Sequence, residues 1–157
     1  MASKTSTKYA SNKQEKRVAK EIGGKQVVAS GSKWGSKGDV RGDLFLIECK
    51  TTRRKFYTLN LSTWLKIQRE AIKDGIRTPL MCIDLENGKT KLAVFKVGTF
   101  DVDAFCVYNG NYRANKSVRV TEDFIGKIIL FDTKPEIRLQ ICEWEDAVYE
   151  ICRGACD

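Results

Sequence analysis

Apolar residues in the first quarter of the chain recur at helical spacing over residues 11–22, where Val18, Ala19 and Ile22 form one short face. Ser11 or Asn12 stands at the cap, Glu15 follows at capping-box spacing, and Gly23-Gly24 ends the helix. Residues 1–10 are small, polar and basic and read as a flexible arm. Residues 25–30 read as a short strand, and residues 31–38 as a Gly/Ser/Lys loop. Asp39-Val40 leads into a tight turn at Arg41-Gly42-Asp43, and residues 44–51 form a strong strand.

Arg53-Arg54-Lys55 is a basic turn. Trp64, Ile67 and Ala71 line one face of a helix over residues 62–74, capped by Ser62 or Thr63 and closed by Gly75. Residues 79–85 are an apolar strand, Asn87-Gly88 is a hairpin signal, and residues 91–97 return. The order up to this point predicts an α/β fold, a central mixed sheet flanked by helices with a site at one sheet edge. Residues 104–108, 118–120 and 127–131 read as short strands, and residues 136–152 as a strand running into a helix. The chain of 157 residues suits one domain, with a core over about 12–97 and a β-rich C-terminal elaboration over about 98–157.

Charge changes this picture more than composition does. The net charge is +8, yet residues 1–57 hold 14 of the 28 Lys and Arg and only 5 of the 20 Asp and Glu, a local net of +9. The remaining residues hold 14 basic against 15 acidic groups. Positive charge confined to one third of a chain points to a polyanion, most commonly nucleic acid. No apolar run is long enough for a membrane span, and the basic N-terminus lacks the apolar stretch of a secretory signal. The expected setting is the cytoplasm, for a phage-encoded protein that of the infected host cell. The six cysteines are irregularly spaced and read as reduced thiols, with Cys152 and Cys156 near enough in sequence to approach each other. The chain has no histidine, which removes Ser-His-Asp triads, Cys-His pairs and His-ligated metals together.

Carboxylates and lysine are left to carry chemistry, and residues 38–50 place them well. Strand alternation puts Glu48 and Lys50 on one face, with Phe45, Ile47 and Cys49 on the other. An acid and a base at the end of an apolar strand are costly to bury unless they are paired or serve a site. The turn at residues 40–43 folds the chain back and brings Asp39 beside Glu48. Two such carboxylates, with the backbone carbonyl of Cys49, offer oxygen ligands suited to Mg²⁺, with Mn²⁺ as a substitute. Lys50 would orient a water or stabilise an oxyanion. The plain alternative is a surface ion pair between Glu48 and Lys50.

Glu15, Ser30-Gly31-Ser32, Gly38-Asp39-Val40 and Ile47-Glu48-Cys49-Lys50-Thr51 occur in that order. Together they resemble the PD-(D/E)XK nucleases, and within them the archaeal and phage Holliday junction resolvases, over roughly residues 12–97. The resemblance implies a restriction-endonuclease-like sheet and hydrolysis of phosphodiesters in branched DNA by a homodimer. It implies catalytic roles for Glu15, Asp39, Glu48 and Lys50, with Asp39 and Glu48 on the metal. Ser30 and Ser32 would touch phosphates or order the loop. Candidate phosphate contacts from the charge pattern are Lys33, Lys37, Arg41, Arg53, Arg54 and Lys55. Trp34 either stacks on the nucleic acid or anchors its loop. The sequence departs from the family in a short interval between Asp39 and Glu48 and in lacking a proline before Asp39, which leaves Asp43 as a rival ligand at the turn. A nuclease of duplex or flap DNA, a silent binding module and a basic phage structural protein are the other readings.

Overall fold

A run of apolar residues that must hide both faces makes a central strand, and the chain supplies three: Phe45–Thr51, Thr78–Leu85 and Ile137–Glu143. In the computed structural model, which describes residues 4–27, 39–102 and 111–154, all three lie in one eight-stranded sheet. In chain order the elements are α1 (Lys4–Ile22), β1 (Lys25–Gln26), β2 (Val40–Arg41), β3 (Phe45–Thr51), β4 (Phe56–Asn60) and α2 (Leu61–Lys73). They continue with β5 (Thr78–Leu85), β6 (Thr90–Lys96), β7 (Asn111–Ala114), β8 (Ser117–Thr121), β9 (Ile128–Phe131), β10 (Ile137–Glu143) and α3 (Trp144–Gly154). The sheet order is β1-β2-β3-β5-β6-β10-β9-β7, and β4 pairs with β8 as a separate antiparallel ribbon. Pairs β3/β5 and β7/β9 are parallel and the rest antiparallel, so the architecture is the expected α/β fold with a mixed sheet and flanking helices.

Two apolar clusters cover the sheet. One packs α2 and the β4–β8 ribbon on a face through Leu59, Trp64, Ile67, Met81, Ile83 and Val120. The other packs α1 and α3 on the opposite face through Val18, Ile47, Cys49, Cys82, Phe95 and Trp144. Trp64 and Trp144 are each almost fully buried, one in each cluster. The hairpin at Asn87-Gly88 forms as expected: Glu86, Asn87 and Gly88 all take positive φ, which Asn and Gly tolerate at little cost.

Several boundaries move. Helix α1 begins at Lys4, so residues 4–10, expected as an arm, continue the helix expected from residue 11. Asn12 therefore sits inside the helix and accepts a hydrogen bond from Gln26 instead of capping. Residues 56–60, between the basic turn and the expected helix, form β4, and Asn60 rather than Ser62 or Thr63 precedes α2. Of the strand expected at 25–30 only β1 is described, and the strand expected at 104–108 lies outside the described residues. The β-rich C-terminal segment is part of the core: β10 lies between β6 and β9, and its Leu139, Ile141 and Cys142 are fully buried. No helix among the described residues is long and apolar enough to cross a membrane.

Candidate active site

The parallel register sets Glu48 beside Met81 and Lys50 beside Ile83. Met81 and Ile83 belong to the cluster under α2 and the ribbon, so Glu48 and Lys50 lie on that same face. Ile47 and Cys49 point into the opposite cluster, as strand alternation requires. Lys50 Nζ donates to Glu48 Oε1 at 2.7 Å, with the Glu48 side chain 10% exposed and that of Lys50 33%. Burial works to lower the Lys50 pKa, but the bond to Glu48 and its charge outweigh it and hold the ammonium above the usual lysine value.

The short hairpin brings Asp39 to this pair. Val40 is opposite Ile47 and Arg41 opposite Leu46, so Asp39 lies one step on, across from Glu48. Its backbone is fixed on both sides: Asp39 N–H donates to the Ile47 carbonyl at 3.0 Å, and its carbonyl accepts from Val27 N–H at 2.9 Å. Its carboxylate Oδ2 accepts from Cys49 N–H at 2.7 Å. In a strand a residue's N–H and C=O face the same edge, so the Cys49 carbonyl is turned toward Asp39. Burial, and next the charge of Glu48, push the Asp39 pKa up to about 6, against the lowering effect of the Cys49 bond. Asp43 sits on the exposed turn.

Glu15 comes within electrostatic reach of Asp39 and adds to its upward shift. Its own Oε2 accepts from Gln26 Nε2 at 2.7 Å. Among the described residues no three Asp, Glu or Cys side chains gather closely enough to hold a metal. The candidate donors are Asp39, Glu48 and the Cys49 carbonyl, while the Glu15 carboxylate is bonded to Gln26. Two carboxylates in mutual repulsion at a half-buried strand end, with hard oxygen donors only, fit a Mg²⁺ ion that keeps several waters. The Cys49 thiol is buried on the other face, and that burial raises its pKa far above the reactive range. Cys49, Cys82, Cys142 and Cys152 are free thiols, and Cys156 lies outside the described residues.

The expected phosphate contacts divide. Arg53, Arg54 and Lys55 are exposed on the turn between β3 and β4, next to the Lys50 end of the strand. Arg53 Nη2 donates to Ser6 Oγ at 2.9 Å, and the Arg54 guanidinium lies 5.5 Å from the Phe56 ring centre. Arg41 is paired instead: its Nη2 donates to Asp74 Oδ1 at 2.6 Å, at the C-terminal end of α2. Ser30, Ser32, Lys33, Trp34 and Lys37 lie outside the described residues.

Sequence reading missed the clamp that docks α1. Gln14 Nε2 donates to the Lys50 carbonyl at 2.9 Å and the Cys82 carbonyl at 3.1 Å. One turn on, Arg17 holds the buried Asp84 with bonds of 2.6 and 2.9 Å. Trp144 Nε1 donates to Glu21 Oε2 at 2.6 Å and ties α3 to the same helix. The only advance signal was a polar stripe, Gln14, Arg17 and Glu21, at helical spacing beside the apolar one.

No protein-family model matches the chain, and no curated protein matches it in sequence. Among solved structures the chain is similar to Hjc of Archaeoglobus fulgidus, a Holliday junction resolvase from an archaeal hyperthermophile. Identity is 15%, over 71% of this chain and 88% of that one, with a TM-score of 0.47. The functional reading rests on the residues around Glu48.

Proposed function

We propose that this chain is a Mg²⁺-dependent DNA endonuclease of the PD-(D/E)XK type that hydrolyses phosphodiesters in branched DNA. The observation that supports it is the meeting of Asp39, just before β2, with Glu48 and Lys50 on β3, the Asp39 carboxyl being pushed up to about 6 by burial and its acidic neighbour. A purely structural ion pair would need only Glu48 and Lys50. A second carboxylate placed against the first costs energy that a bound cation would return.

Asp39, Glu48 and the Cys49 carbonyl would hold the metal. When bound, its part is to offset charge on the phosphate and to ease deprotonation of an attacking water. The chain's own groups do the positioning. The Cys49 N–H fixes the Asp39 carboxylate, leaving its second oxygen to bind. Lys50 stays protonated and so acts as a donor to the developing oxyanion, not as a base. Arg53, Arg54 and Lys55 would grip the backbone of a DNA arm without reading its sequence. A four-way junction has two-fold symmetry, which a C2 homodimer would match. Mn²⁺ would substitute for Mg²⁺, and the setting would be the cytoplasm, within an infected host cell if the gene is a phage's.

The test uses labelled four-way junction, flap, duplex and single strand, with Mg²⁺ or EDTA. The wild type should cut the junction only with Mg²⁺. Glu48→Gln should abolish cutting while junction affinity and melting temperature stay near wild type. Lys50→Ala should slow cutting on the order of 10²–10³-fold with Mg²⁺ binding retained in calorimetry. Full activity in Glu48→Gln would sink the site. Junction binding by the wild type without cutting would mark a silent binding module of the same fold.

A further inference from the structure

We propose that Tyr57 is a further catalytic residue, its hydroxyl reaching from the β4–β8 ribbon to donate to a non-bridging oxygen of the scissile phosphate above Glu48 and Lys50. The inference rests on the nuclease reading above and adds a second donor to it. Strand alternation puts Tyr57 on the same face of β4 as the fully buried Leu59. Both pack against the cluster that contains Met81 and Ile83, the register neighbours of Glu48 and Lys50. The ribbon therefore roofs the face on which the acid and the lysine lie, and Tyr57 is its residue nearest the turn that joins β3 to β4 on that side.

Charge supports the placement. Tyr57 and Lys50 each feel the other's charge, and Tyr57 also feels that of Glu48. A phenol titrates at about pH 10 in water, so at neutral pH it is protonated and can donate. The Tyr57 side chain is half-buried, not sealed. Lys50 has one donor committed to Glu48 at 2.7 Å. A phosphate approaching this face would meet an ammonium already shared with a carboxylate and, beside it, a phenol able to donate. A neutral donor fixed by its strand contributes most where negative charge develops, on the oxygens of the pentacoordinate phosphorus.

Tyr57→Phe removes the hydroxyl and little else. Single-turnover cutting of the junction should fall about 10- to 100-fold, while junction affinity and melting temperature stay unchanged. Phosphorothioates at the scissile position give a readout that a merely structural role would not move. The wild-type-to-variant rate ratio should collapse for the diastereomer with sulfur at the contacted oxygen and persist for the other. Without turnover, in the Glu48→Gln background, the Tyr57 ring-carbon resonance, assigned by its loss in Tyr57→Phe, should shift when junction is added. Equal rates in wild type and Tyr57→Phe, the same ratio for both diastereomers, or a resonance unmoved by DNA would each overturn the assignment. A wild type that cuts no DNA would instead overturn the nuclease reading itself.

Discussion

Asp39 is where the proposed metal site costs the fold most clearly. Its pKa of about 6 means that, without metal, the folded state holds a proton that the unfolded chain has lost between about pH 4 and pH 6. Unfolded protein then binds fewer protons than folded protein, so stability falls as pH rises through that window. Asp39→Asn keeps an acceptor for the Cys49 N–H and removes the charge. In EDTA at pH 7.5 it should be more stable than wild type, by on the order of 1 kcal/mol after allowing for partial exposure. The difference should vanish below about pH 4, where the wild-type carboxyl is protonated in both states. Urea titrations at the two pH values check this. The same substitution should cost far more cutting than Asp43→Asn, because Asp43 sits on an exposed turn. The reverse ordering would move the ligand to Asp43.

Helix α1 carries Glu15 and docks through polar contacts as much as apolar ones. Val18 is fully buried, but the pair Arg17–Asp84 sits beside it with the Asp84 side chain 5% exposed. Breaking such a pair on one side leaves an uncompensated charge. Arg17→Met should cost roughly 3 kcal/mol, and adding Asp84→Leu should restore most of it, since two apolar residues replace a buried pair at little net cost. Gln14→Leu should cost about 1 kcal/mol, because the two carbonyls it serves keep their sheet bonds. Denaturant midpoints of the three variants order these effects. A single Arg17→Met variant as stable as wild type would mean that the pair contributes nothing to docking the helix.

Across the whole molecule the excess charge belongs to residues 1–57, and among the described residues some of it is exposed and some is paired with carboxylates. Arg53, Arg54 and Lys55 face solvent, whereas Arg41 is bound to Asp74 and Arg17 to Asp84. DNA affinity should fall with salt at a log–log slope of about −0.9 per phosphate neutralised. Replacing Arg53, Arg54 and Lys55 with Ala should flatten the slope by roughly one unit for each phosphate that is no longer neutralised, on junction and duplex alike. Arg41→Ala should leave the slope unchanged and lower stability modestly instead, by removing one of the two arginines that hold the Asp74 carboxylate. Fluorescence anisotropy at several salt concentrations separates the two outcomes. An unchanged slope in the triple variant would make those side chains a solvated surface only.

What the sequence determined by itself is whatever depends on backbone periodicity and on neighbours within about a dozen residues. Alternation in β3 set Glu48 and Lys50 on one face, and the turn after Val40 set Asp39 across from Glu48. The Asn87-Gly88 hairpin and the strand-to-helix passage from β10 to α3 are local in the same sense. Tertiary structure alone decided which distant partner each polar group meets. Gln26 took the Glu15 carboxylate, Asp74 took Arg41, and Gln14 reached the Lys50 carbonyl across 36 residues of sequence. It also placed β10 inside the sheet, although residues after 98 read as an addition to a finished core. A pattern of apolar residues states that a strand is buried, but not beside which strand. That choice follows from fitting side-chain volumes over both sheet faces at once, and no local stretch of the chain contains it.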